Sequence, residues 1–146
     1  MYYSIILVII LCYVAYVFGT YHRIPDRQKI TIQSPENTVS TEKVSTNTLY
    51  KIGTYNVGFG AYTPSYSFFM DGGKYSRCYS EQSGIDAING AANYAQKENP
   101  DFMIFQEVDR DSTRSYHVNQ EKLITNKFSN YYENFAVNYD SAYLFY

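Results

Sequence analysis

Residues 83–107 read SGIDAINGAANYAQKENPDFMIFQE. Ile85, Ile88, Ala91, Ala92 and Ala95 recur at i, i+3, i+6, i+7 and i+10, a spacing that gathers apolar side chains on one face of a helix. Ser83 with Asp86 three residues on has the form of a capping box. Asn99-Pro100 ends the segment, because proline pushes the residue before it out of the helical region. The spacing predicts a helix over 83–98. FMIFQ, residues 102–106, is then a nearly continuous apolar run, as expected of a strand buried on both faces. It delivers Glu107 at its C-terminal end.

Working outward, YKIGTYNV (50–57) is rich in β-branched and aromatic residues and reads as a strand with Asn56 near its end. Between strand and helix lies GFGAYTPSYSFFMDGGKYSR (58–77), with five Gly or Pro breaks and an Asp71-Gly72-Gly73 turn. Loops of this length are often functional. After Glu107 comes the polar loop VDRDSTRSYHVNQ (108–120), then a weaker helix over 119–129 and a strand over 133–138. Strand, helix, strand, helix, strand predicts an α/β layered domain. The last five residues, AYLFY (142–146), lack the polar character in which chain ends usually fray, and suggest an interrupted fold.

Upstream, residues 3–19 carry no charge and are dominated by Ile, Leu, Val, Tyr and Phe. A membrane span needs about 20 apolar residues. We read residues 1–20 as an uncleaved anchor, with Tyr2, Tyr3 and Tyr21 suited to the bilayer interface. A cleaved signal segment is the competing reading, although the basic start of one is missing. A lipidated Cys12 is disfavoured by the bulk of Leu11. Residues 21–49 form a polar linker, with a Ser-, Thr- and Asn-rich core over 31–47 that cannot bury enough surface to fold alone.

The chain of 146 residues thus leaves about 100 for a folded body, enough for a small core. Its 12 basic and 14 acidic residues make no basic stripe, which disfavours a protein that coats nucleic acid. An enzyme that handles one phosphate with a metal stays open, because the ion brings its own positive charge. Cys12 and Cys78 lie in different parts of the chain. They form neither a disulfide framework nor a CxxC zinc signature, and no disulfide-linked partner is expected. Cys78 reads as a free, partly buried thiol in preference to a nucleophile.

The chemistry-bearing residues collect at strand ends, where ligands sit in layered α/β sheets. Glu107 could hold Mg²⁺, which takes one or two protein carboxylates and keeps several waters. Arg110, Arg114, Tyr116 and His117 follow within a few residues, and an arginine fork can grip two phosphate oxygens. On the residues alone, bland readings stand beside these. Glu107 can be a solvated carboxylate, Asn56 a turn former before Gly58, and the arginines an exposed loop. Gly58-x-Gly60 lacks the following helix of a phosphate loop. His22 and His117 are too far apart for a histidine cluster.

Three blocks sharpen this: TYNVGFGAY (54–62), FFMDGGKYSR (68–77) and PDFMIFQEVDRDSTRSYHVNQ (100–120). In this order and spacing, the chain from residue 50 to 146 resembles the endonuclease/exonuclease/phosphatase superfamily, of deoxyribonuclease I-like fold, and within it a bacterial membrane-anchored branch. The resemblance implies a four-layered α/β sandwich and hydrolysis of phosphoesters with Mg²⁺, or with Mn²⁺ or Ca²⁺ in its place. It assigns Glu107 as metal ligand and Asn56 as its active-site companion, and sets Arg110, Arg114, Tyr116 and His117 near substrate. Nucleic acid, phospholipid head groups and inositol phosphates are the substrate classes it implies. It also implies a second half with a catalytic histidine, an Asp-x-Asn pair and a terminal Asp-His pair. None of these follows here, so residues 50–146 are expected to be an N-terminal half, inactive and poorly soluble by itself. The branch implies a folded part outside the cell, whereas His22, Arg23, Arg27 and Lys29 beside the span favour a cytoplasmic side.

Overall fold

The computed structural model describes residues 2–35 and 43–141; the terminal AYLFY stretch lies outside them. The chain divides into two compact units, one running to Thr31 and resuming at Asn134, the other Ile32–Glu133. In the first, helix α1 (Tyr2–Thr20) has no buried residue. Its 19 residues extend ~28 Å at 1.5 Å per residue, against about 30 Å of hydrocarbon in a bilayer. It is long and apolar enough to cross a membrane.

The second unit is mixed α/β, with β1 (Ile52–Asn56), α2 (Glu81–Lys97), β2 (Phe102–Gln106) and α3 (Gln120–Lys127). β1 and β2 form a two-stranded parallel sheet in register from Ile52–Phe102 to Asn56–Gln106. The α2 stripe does what its spacing predicts. Ile88, Ala92 and Ala95 are buried with Ile124 and Phe128, and Met103 and Phe105 of β2 pack against them. Small alanines on α2 let it lie close to its neighbours, while the large side chains of the strand and of α3 fill the volume between.

Four expectations are corrected. The helix begins two residues earlier than its apolar stripe suggests, because Ser80 is the N-cap and Ser83 its reciprocal partner, each side chain accepting from the other's backbone N–H. Asp86 instead accepts from Gln82 one turn back. At the other end, Asn99 adopts a positive φ of 46°, the left-handed conformation that closes helices before a proline. Residues 133–138 form no strand, and only Glu133 pairs, in an antiparallel bridge with Gln33. That bridge also ties down one point of the predicted linker.

The fourth correction concerns β2. Met103 and Phe105 face the core, but Phe102 and Ile104 point the other way and are exposed, as is Ile52 on β1. A Gln106–Thr54 side-chain hydrogen bond crosses this outer face, and the Tyr50 ring meets Phe102 edge-on. Parallel sheets are normally covered on both faces. An apolar run shows that a strand is buriable, and neighbouring chain decides whether it is buried.

Candidate active-site cleft at the strand ends

The register sets Asn56 and Gln106 side by side at the ends of β1 and β2. Beyond them, the Val57 and Phe59 N–H groups donate to the carbonyls of Gln106 (3.0 Å) and Glu107 (2.8 Å). Asn56 spans the gap with its side chain. Its Nδ2 donates to Glu107 Oε1 at 2.9 Å, and its Oδ1 accepts the Gly58 N–H at 2.9 Å. Glu107 has φ of 55°, a left-handed backbone uncommon outside glycine that Phe59, Asn99, Tyr116 and His117 also adopt in this unit.

An open cleft of about 360 Å³ begins at this pair. Tyr55, Asn56 and Glu107 line it from the strand ends, Gly58, Gly60 and Tyr62 from the loop, and Ala87 and Ala91 from α2. The two glycines have packing reasons. A Cβ on Gly60 would lie 2.8 Å from the Gly84 carbonyl oxygen of α2, and one on Gly58 would lie 2.5 Å from the Tyr62 ring. Both also have positive φ, which glycine adopts without strain. The N–H groups of Gly58, Phe59, Gly60 and Ala61 all donate within the protein, so Gly58-x-Gly60 is no open phosphate cradle.

Of the six residues singled out in the sequence, Asn56 and Glu107 line the cleft and the other four do not. Arg114 makes a bidentate pair with Asp109, at 3.0 and 2.8 Å, and its guanidinium lies 4.1 Å from the centre of the Phe59 ring. Arg110 is likewise bidentate to Glu121, at 2.5 and 2.7 Å, and that carboxylate holds its guanidinium further above an already high ordinary value. His117 Nδ1 meets Asp111. Tyr116 packs against the second hydrophobic cluster, formed by Phe59, Ala61, Phe68 and Cys78, with Arg77 over its ring at 5.4 Å.

Sequence reasoning missed Gln120, which is fully buried. Its Nε2 donates to the Phe59 carbonyl at 2.7 Å and its Oε1 accepts the Asp109 N–H at 3.0 Å. One side chain thus staples the 108–120 loop to the turn that bears the cleft. A glutamine in a polar stretch carries no local mark of burial, and no sequence signal could have found it. Tyr62 was also missed as a cleft residue. Its hydroxyl donates to Asp71 Oδ2 at 3.0 Å. Burial, then the Asp71 hydrogen bond and charge, push its ionisation up to about 12 from an ordinary 10.0.

Cys78 is buried, and its thiol donates to the Phe59 carbonyl at 3.3 Å. Burial, followed by the charge of Asp109, pushes that thiol up to about 11 from an ordinary 9.0. A neutral, enclosed thiol is a poor nucleophile. Burial similarly pushes Tyr66 up to about 12. Each group is neutral when protonated, so its contribution to stability is complete below its ordinary value and is lost as pH rises. The urea midpoint is expected to fall between pH 9 and 11, and Cys78→Ala to flatten that part of the curve. An identical fall in Cys78→Ala would remove the thiol as its source.

For a metal, the donor set is partial. Among the described residues no three His, Cys, Asp or Glu come together, which disfavours a zinc-type cage. Glu107 is the one carboxylate among the described residues lining the cleft. A single hard oxygen donor beside open space fits a Mg²⁺ ion that keeps most of its waters. The fold and site define a mixed α/β domain with a carboxylate-bearing cleft at the ends of two parallel strands. No protein-family model matches the chain, and no curated protein or solved structure matches it.

Proposed function

We propose that residues 50–146 belong to a metal-dependent phosphoester hydrolase domain of the endonuclease/exonuclease/phosphatase superfamily, built as a four-layered α/β sandwich. The observation that carries this reading is the Asn56–Glu107 hydrogen bond at adjacent strand ends, opening on the cleft. The uncovered face with Ile52, Phe102 and Ile104 supports a sandwich, because a second sheet would cover it. In this reading α1 anchors the protein in the cell membrane with the folded part outside. A protease-protection assay on intact cells tests the side.

Glu107 would hold the divalent ion, which supplies positive charge to a phosphoryl oxygen when bound. Asn56 aims the carboxylate, since its own amide is held by the Gly58 N–H. Tyr62, tied to Asp71, keeps a phenol at the cleft wall. Phosphodiesters of nucleic acid, phospholipid head groups and inositol phosphates share the phosphoester this arrangement addresses.

A second reading, an inert membrane-tethered product or a phosphate-binding interaction module, is favoured by the lack of a three-ligand cluster among the described residues. Mn²⁺ titration of the full chain in detergent micelles separates the two. A saturable enhancement of water-proton relaxation, lost in Glu107→Gln, is expected. No saturable response from the unaltered chain would favour the inert product.

A further inference from the structure

Tyr62, Tyr66, Phe68, Phe69, Tyr75 and Tyr79 form one connected ring lattice in the loop between β1 and α2. Tyr66 stacks on Tyr75 at 5.5 Å and meets Tyr79 edge-on at 5.4 Å, and Tyr75 meets Tyr79 at 4.8 Å. Phe68 anchors the lattice below, against Phe59. Met70 lies on the short 3₁₀ turn Phe69–Asp71, 72% exposed, and Tyr62, Tyr75 and Tyr79 of the same loop are also exposed. Such concentration of large apolar surface on a folded loop marks an interaction site.

We propose that this loop, residues 62–79, docks in the interfacial layer of a bilayer. Three observations select a lipid surface. First, the turn around Met70 meets much of its backbone demand internally, which lowers the cost of approaching an apolar phase. The N–H groups of Phe69, Gly72, Gly73, Lys74 and Tyr75 all donate within the loop, at 2.8–3.0 Å. Second, tyrosine suits the interface, with its ring in the apolar layer and its hydroxyl among head groups. Lys74 and Arg77 are exposed on the same loop and complement lipid phosphates, while the one carboxylate there, Asp71, already accepts from Tyr62. Third, α1 is long and apolar enough to cross a membrane. The second unit begins at Ile32, so the connection from Thr20 reaches at most on the order of 40 Å. The tether makes docking effectively intramolecular, and the packed rings reduce the ordering it requires.

The inference rests on the anchor reading of α1 and is independent of any phosphoesterase activity. The chain contains no tryptophan, so a single introduced one reports without background. Met70→Trp, and Tyr94→Trp on the exposed side of α2 as control, would be made in the full chain. Both would be reconstituted into equimolar phosphatidylcholine and phosphatidylglycerol vesicles with brominated acyl chains in both leaflets. Matching circular dichroism establishes that both variants fold as the parent does. Met70→Trp is expected to show a blue-shifted maximum and to lose most of its emission, while Tyr94→Trp keeps an aqueous spectrum. Emission of Met70→Trp as aqueous as the control overturns the docking, and so does equal quenching of the two. A chain that fails to float with vesicles after carbonate washing overturns the anchor reading and this inference together.

Discussion

Glu107→Ala is expected to lower divalent-ion-dependent phosphodiester hydrolysis by about 10³-fold or more. A bound metal contributes several kcal/mol of charge stabilisation, and each 1.36 kcal/mol corresponds to about tenfold in rate. The assay is bis(p-nitrophenyl) phosphate hydrolysis by the full-length protein. Asn56→Ala removes the hydrogen bond to Glu107 but leaves the carboxylate, and losing an outer partner of a metal ligand typically lowers activity about 10- to 100-fold. The order of the two effects is therefore part of the prediction. Full activity in Glu107→Ala, or in excess chelator, would end the metal role of this residue.

The largest effect on stability is expected from Gln120→Leu, at about 2–4 kcal/mol. The side chain is fully buried, and both ends of its amide are used. Leucine would leave the Asp109 N–H without its acceptor and the Phe59 carbonyl with only the Cys78 thiol. A buried group left unpaired carries its whole desolvation penalty. The Phe59 contact joins residues 61 apart in sequence, so the cleft turn should loosen from the 108–120 loop. Urea midpoints of the full chain, with the exposed Lys122→Ala as control, provide the measurement. A Gln120→Leu midpoint equal to that of the control would mean the staple adds nothing.

The two arginines show why function was harder to read than fold. Arg110 and Arg114 sit in a loop dense with phosphate-capable donors, and the sequence makes them natural substrate ligands. The structure engages both with carboxylates, one through Asp109 five residues back and one through Glu121 eleven residues on. A guanidinium fork fits a carboxylate as well as it fits a phosphate. Which partner it meets depends on chain geometry that residue type does not encode. The Gly58-x-Gly60 pair teaches the same lesson, because its glycines answer to the Tyr62 ring and to the backbone of α2.

By itself the sequence determined the apolar helix α1, the β1–α2–β2 order and the strand limits of 102–106. These follow from hydrophobic period and from proline and glycine punctuation, which act between residues close along the chain. Tertiary structure alone decided that residues 133–138 form no strand and that Phe102 and Ile104 of β2 stay exposed. It also decided that Asn56 reaches Glu107 across 51 residues of sequence and that Gln120 is buried. Those outcomes depend on which distant side chains and backbone groups meet. A local pattern records how much apolar surface a segment brings, but not what will cover it.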